Sequence, residues 1–297
     1  MKDKVFAQVY SLIRVEPEGT LDALRKLSAA GYDGVELLGN RTEGLPEAEF
    51  AAMLKDLNLK VISSHFLNDE ADFAFAVRMG AKYTDLRPEY ASNALADVQR
   101  CCEALNEAGR RRAAAGLKAV VHNHAEEFLW IDDVEGGERI YDYLIKNTDP
   151  AYVNFEFDVG WGARAGVDVV SYVNKYAGRF PLIHVKECNA VAKTREEMAH
   201  FPKFFLDAIA QDQANGIQLG GGPKASSEEI MKAMYESRNW NCELGGGIID
   251  WKTLVAAAEA QGCEGYISER EYYHTKLVPD GDPFKCAVAD CEAMRSW

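Results

Sequence analysis

Short apolar runs and longer amphipathic stretches alternate through almost the whole chain, and this restricts the fold more than any other feature. The apolar runs are Val5–Leu12, Asp33–Leu38, Lys60–Phe66, Ala81–Leu86, Leu117–Asn123, Ala151–Val159, Phe180–Lys186 and Gly265–Glu269, each of strand length. Between them, apolar residues recur at helical spacing. Leu21, Leu24, Leu27 and Ala30 line one face and end at Gly31, a residue that accepts the left-handed turn closing a helix. Pro46–Leu57 carries proline in its first turn, Ala71–Met79 stops at Gly80, and Ala91–Ala115 stops at Gly116. Val134–Lys146, Val167–Tyr176 and Ile249–Ala260 complete the helical set. Eight strands with helices between them predict an α/β fold, a closed (β/α)8 TIM barrel, in preference to an open doubly wound sheet. No break in composition marks a linker, so residues 1–297 read as a single domain.

One stretch departs from the alternation. Residues 188–247 separate the seventh strand from its helix and are too long for a plain strand-to-helix loop. Helices near Arg195–Ala214 and Ser227–Tyr235, with a glycine-rich turn at Gly220–Pro223, are expected inside it. It reads as an insertion over the C-terminal mouth of the barrel.

Charge and cysteine usage narrow the setting. Lys and Arg number 33 against 47 Asp and Glu, a formal charge of −14. An acidic field repels nucleic acid and anionic membranes, so neither is expected as a partner. No window nears the ~18 unbroken apolar residues of a spanning helix. Seven scattered cysteines without a CxxC suggest reduced thiols and a cytoplasmic location. No glycine-rich phosphate motif implies a nucleotide.

Chemistry collects where strands end, because in a barrel those ends share one mouth. The third run ends at His65, and the fifth at His122 and His124 with Glu127 just beyond. The sixth carries Glu156 and Asp158, the seventh His184 and Lys186, the eighth Glu269 and Glu271. Residues two apart on a strand face the same way, so these are same-side pairs. Carboxylates with one or two imidazoles suit a divalent ion such as Mn²⁺, Co²⁺, Zn²⁺ or Mg²⁺. Carboxylates so close would repel one another unless a cation neutralised them or one kept a proton. Taken singly, His65 reads as a hydrogen-bonded wall residue, and Trp161 and Trp130 as core caps or an apolar wall for a sugar face.

FAQVYSLIR, GYDGVELLG, VVHNHAEEF, the long FEFDVGWGARAGVDVVSYVNKYAGRFPLIHVKE, ELGGGIIDW and YISERE together resemble the sugar phosphate isomerase/epimerase family, the xylose-isomerase-like TIM barrels. The resemblance covers nearly the whole chain outside 188–240. It implies one divalent metal, manganese first, at the C-terminal mouth and chemistry on a keto-sugar or polyol. Asp158, His184 and Glu269 match three of the family's four ligands, and Glu127 is expected as the fourth, with His122 and His124 as alternatives. The expected catalytic groups are His124, His122, Lys186 and Glu269, with His65, Glu156, Trp161 and Glu271 around the substrate. The family often has GEG where this chain has Gly245-Gly246-Gly247, so an acidic group is missing there.

The expected activity is isomerisation or epimerisation through an enediolate. The alternative is a lyase on the same barrel, an inosose-type dehydratase or a cleaver of 3-keto-glycosides. A related barrel type that repairs abasic DNA with three zinc ions fits poorly with six histidines and this charge. A small-molecule sugar or glycoside is the expected partner, and a homo-oligomer is allowed.

Overall fold

The computed structural model describes residues 3–13, 19–199, 239–270 and 282–297, with Phe201, Lys203, Leu206, Asp207, Ala210 and Ser237 between. Eight strands form its centre: β1 Val5–Gln8, β2 Gly34–Leu38, β3 Lys60–His65, β4 Tyr83–Leu86, β5 Lys118–His122, β6 Val153–Asp158, β7 Leu182–Val185 and β8 Gly265–Ser268. Each pairs in parallel with its neighbour in sequence, and β1 pairs with β8, so the sheet closes on itself. The expected (β/α)8 barrel is what the chain forms.

Helices fill the intervals: α1 Tyr10–Ile13, α2 Thr20–Ala30, α3 Glu47–Asp56, α4 Glu70–Arg78, α5 Leu95–Ala114, α6 Ile140–Asn147, α7 Val159–Arg164, α8 Val169–Lys175, α9 Arg195–Met198, α10 Trp251–Ala260 and α11 Pro283–Ser296. Strand residues of one parity pack outward on them. Phe155 and Phe157 meet Tyr141, Tyr172 and Phe180 in an aromatic layer with ring centroids 5.1–6.5 Å apart. Residues of the other parity point inward. Phe6, Tyr83, Val120, Leu182 and Ile267 meet there in a small separate apolar cluster.

Several expected boundaries shift and one helix is added, each for a local reason. The Val5–Leu12 run is strand only to Gln8. There the Gln8 side chain accepts from the Tyr10 amide, 3.1 Å, and the chain turns into α1. Helix α6 starts at Ile140 rather than near Val134, because Gly136 and Gly137 both take positive φ (85° and 74°), which a helix cannot continue through. Helix α5 starts at Leu95, past the turn in which Ser92 Oγ accepts from the Ala94 amide. The unexpected α7 follows β6 directly, because Asp158 Oδ1 caps the Trp161 amide at 2.9 Å.

Of the 188–247 excursion, α9 is capped by Thr194. The Gly220–Pro223 turn and the Ser227–Tyr235 helix lie outside the described residues, as does most of the expected Arg195–Ala214 helix beyond α9. Among the described residues no helix is long and apolar enough to cross a membrane.

Candidate functional site

The inward parity that builds the apolar plug also builds the site. Two residues beyond Phe6, Tyr83, Val120, Leu182 and Ile267 stand Gln8, Asp85, His122, His184 and Glu269. Register brings partners side by side: His122 faces Glu156 across β5 and β6, and Asp158 faces His184 across β6 and β7. A layer of hydrocarbon therefore gives way, one pleat higher, to a layer of acids and imidazoles.

The lower part of that layer is a buried hydrogen-bonded group. His65 Nε2 lies 2.9 Å from Glu156 Oε2 and 3.0 Å from Glu36 Oε2. Glu36 Oε1 lies 2.9 Å from His184 Nε2 and accepts from Gln8 Nε2 at 2.6 Å. His122 Nδ1 lies 3.1 Å from Glu156 Oε2. Burial alone would hold the His65 imidazole neutral, but Glu36 and Glu156 outweigh it and raise its proton affinity. Glu36, pushed up by burial, is pulled well below the usual carboxylate range by His65 and His184. Burial and the charge of Glu36 push Glu156 up to about 7.

The upper part faces the mouth. His184 Nδ1 is 3.4 Å from Glu269 Oε2 and 3.8 Å from Asp158 Oδ2. Lys186 Nζ is 2.8 Å from Glu269 Oε2 and 3.2 Å from Asp158 Oδ2. Burial opposes the Glu269 charge, yet Lys186 and His184 hold that carboxyl well below its ordinary value. Burial and the neighbouring imidazoles keep the His122 ring neutral.

Donor atoms of His122, Asp158, His184 and Glu269 all lie within 4.8 Å of one another, and so do those of His65, His122, Glu156 and His184. The upper set fits a divalent cation. Asp158 Oδ2 and His184 Nδ1 are buried and, beyond the ion pair of Asp158 with Lys186, make no hydrogen bond among the described residues. Two carboxylates and two imidazoles are the donors that such an ion takes.

The residues expected from sequence fall as follows. His65, His122, Glu156, Asp158, His184 and Glu269 converge, and Lys186 sits among them, paired to Asp158 and Glu269. Glu127, expected as the fourth ligand, is in neither donor group. It lies on a 3-10 turn, Glu126–Phe128, and accepts the His124 amide at 2.7 Å. Burial pushes its carboxyl up to about 7. From β5 it is His122 that enters both groups.

His124 stands at the edge, its ring 5.1 Å from that of His122 and 5.5 Å from that of Trp161. Trp161, expected near the substrate, is wholly buried and packs beneath Lys186 and against Trp240, so its ring supports the site from behind. Glu271 lies outside the described residues.

One residue of the site escaped the sequence reading. Glu36 sits in the apolar run Gly34–Leu38, where an acid at inward parity was the available signal. Glu187 is fully buried and accepts from the amides of Cys188 and Gly245 and from Trp251 Nε1, at 3.0, 2.9 and 2.6 Å. It is the anchor of the glycine turn in ELGGGIIDW. Gly247 packs so closely there that a Cβ would fall 2.2 Å from Glu187 Oε1.

Comparison with known proteins agrees with the fold. The family model described as a xylose isomerase-like TIM barrel matches residues 24–296. An inosose dehydratase from Mesomycoplasma hyopneumoniae is 26% identical over 195 residues, 56% of this chain and 61% of that protein. Against other curated relatives the chain spans only about a third of their length. A sugar phosphate isomerase/epimerase from Parabacteroides distasonis superposes with a TM-score of 0.69 at 21% identity, covering 99% of this chain and 98% of that one. The IOLI protein, whose structure holds a zinc atom, superposes with a TM-score of 0.65 at 13% identity, covering 99% and 97%.

Proposed function

The chain belongs to the xylose isomerase-like TIM-barrel family, and from that premise we propose that it is a divalent-metal-dependent enzyme that removes a proton beside the carbonyl of a keto-sugar or oxidised polyol. The observation that carries this is the convergence of His122, Asp158, His184 and Glu269 within 4.8 Å.

These four residues would hold the ion, His122 taking the place that sequence reasoning gave to Glu127. When bound, such an ion draws charge from a ketone and its adjacent hydroxyl and acidifies the C–H between them. Mixed imidazole and carboxylate donors suit Mn²⁺, Co²⁺ or Zn²⁺ better than Mg²⁺, and Mn²⁺ is the first candidate.

Glu269 is a poor base, because Lys186 and His184 stabilise its carboxylate, and so it serves as an anionic ligand. His124 is then the group for proton transfer: it lies beside the donor ring and outside both donor groups. The Lys186 ammonium sits where it can offset charge on a developing oxyanion. His65 and Glu156 stand below, holding the ligands. All seven cysteines are free thiols, which suits a reducing compartment such as the cytoplasm.

Returning the proton to carbon gives isomerisation or epimerisation. Expelling a β-hydroxyl instead gives dehydration, and the inosose dehydratases among the relatives favour this second reading. The test is a panel of keto-sugars and inososes in deuterated water with metal-loaded protein. Deuterium in a product of unchanged formula supports isomerisation, and a dehydrated product supports the lyase. No exchange and no product with any of them, or metal retained and full activity in His184→Ala, would overturn the proposal.

A further inference from the structure

The lower donor group of His65, His122, Glu156 and His184 could hold a second ion or could serve the first. Its contacts favour the latter. Glu36 Oε1 already receives two donors, Gln8 Nε2 at 2.6 Å and His184 Nε2 at 2.9 Å. Glu156 Oε2 likewise meets His65 Nε2 at 2.9 Å and His122 Nδ1 at 3.1 Å. His65 Nε2 stands between the two carboxylates, 3.0 Å from Glu36 Oε2. The spacings at Glu36 Oε1 and Glu156 Oε2 are those of an N–H aimed at an oxygen, and oxygens so engaged have little to offer a cation. Glu36 Oε2, beside His65, and Glu156 Oε1 make no hydrogen bond among the described residues.

The consequence falls on the two imidazoles shared with the upper group. A ring nitrogen hydrogen-bonded to a buried carboxylate keeps its proton when an ion binds, so any proton released comes from the other nitrogen, which then offers the lone pair. His184 is held at Nε2, which leaves Nδ1 turned toward Asp158 and Glu269. His122 is held at Nδ1, which leaves Nε2.

We infer that Glu36, His65 and Glu156 form a buried brace that sets the metal-facing nitrogen of each imidazole, and sets it differently: Nδ1 for His184 and Nε2 for His122. The inference rests on the metal reading above and adds to it three positioning residues from β2, β3 and β6. The brace spans the barrel, since β2 and β6, which carry Glu36 and Glu156, lie on opposite sides of the eight-strand ring.

Two measurements test it. The first needs no variant: nitrogen-15 NMR of histidine-labelled protein loaded with Zn²⁺ reads the nitrogen that each ring presents. Nδ1 ligation at His184 with Nε2 ligation at His122 supports the inference, and the same nitrogen at both rings overturns it.

The second is Co²⁺ affinity by chelator competition, with the visible spectrum of the bound ion and metal equivalents per chain. Glu36→Gln and His65→Ala are each expected to weaken binding about 10- to 100-fold and to shift the Co²⁺ bands. His65→Gln, which keeps a donor, is expected to recover part of the loss. Parental affinity and spectrum in Glu36→Gln, with binding lost in His184→Ala, would overturn the brace and leave the metal site standing. Parental binding in His184→Ala as well would overturn the metal reading itself. Two ions per chain, the second lost in His65→Ala, would make the lower group an ion site and overturn the brace.

Discussion

Lys186 Nζ sits 2.8 Å from Glu269 Oε2 and 3.2 Å from Asp158 Oδ2, so a cation of the chain's own stands between a buried and a largely buried carboxylate that would otherwise repel each other. Removing one partner of a buried charge cluster costs roughly 3–5 kcal/mol. Lys186→Met is therefore expected to lower the thermal midpoint sharply in chelator-treated protein. Added Mn²⁺ is expected to raise that midpoint more in the variant than in the parent. Equal stabilisation of the two by Mn²⁺ would show that the ammonium and the ion do not share those carboxylates.

Glu127 predicts a pH dependence. Burial raises its carboxyl from 4.5 to about 7, so the folded chain keeps a proton that the unfolded chain releases. The stability this contributes is complete below about pH 4.5 and is lost as pH rises through about 7. By pH 8 the loss is ~2–3 kcal/mol. Glu127→Gln keeps an acceptor for the His124 amide and never ionises. Denaturant titrations should show it gaining on the parent between pH 5 and pH 8, and a constant difference across that range would refute the assignment.

Glu187 tests the glycine turn. Its carboxylate accepts from Trp251 Nε1 and from the amides of Cys188, Gly245 and Ile249 in a fully buried place. Glu187→Ala leaves those donors without an acceptor, at about 1–3 kcal/mol for each buried group stranded. The expected result is a large loss of stability and a changed environment of Trp251, read by tryptophan fluorescence in comparison with a Trp251→Phe control. Glu187→Gln should fall between.

Gly160 tests the fit of α7 against β7. A Cβ there would fall 2.5 Å from the Lys186 carbonyl oxygen and 2.7 Å from Lys186 Cβ. Gly160→Ala must push Lys186 or the start of α7 aside, at about 1–3 kcal/mol. Because Lys186 and Asp158 flank that contact, the variant should also bind Mn²⁺ more weakly, whereas Gly178→Ala, distant from any such contact, should not.

The barrel was legible because its signal is periodic. Inward residues such as Val120 and His122, or Leu182 and His184, are two apart, and strand parity carries them to one face whatever the loops do. The convergence of Asp158, His184 and Glu269 follows from the same parity. Glu36 was overlooked because it lies within an apolar run, where a single acid reads as a flaw in the pattern rather than as its purpose.

Glu127 was misplaced for the opposite reason. Beyond His122 the strand has ended, and the path is set by bonds between distant segments: Asn123 Oδ1 accepts from the Asp158 amide at 3.0 Å, and Asn123 Nδ2 donates back to the Asp158 carbonyl at 3.2 Å. Those contacts turn Glu126–Phe128 so that Glu127 meets the His124 amide. Spacing along a single chain does not encode such a tie. The left-handed backbone of Phe66, φ 62°, whose amide is held by Asp85, is another detail of that kind.

The hydrogen bond between Glu36 and His184 joins residues 148 positions apart across the cylinder. No fragment of fewer than about six successive staves contains both ends of that chord, so the site cannot be assembled piecemeal. Occupancy by an ion would then act as a clasp on the finished ring. A chain severed between β2 and β7 should recover its grip on the ion only when both pieces re-associate around the same axis.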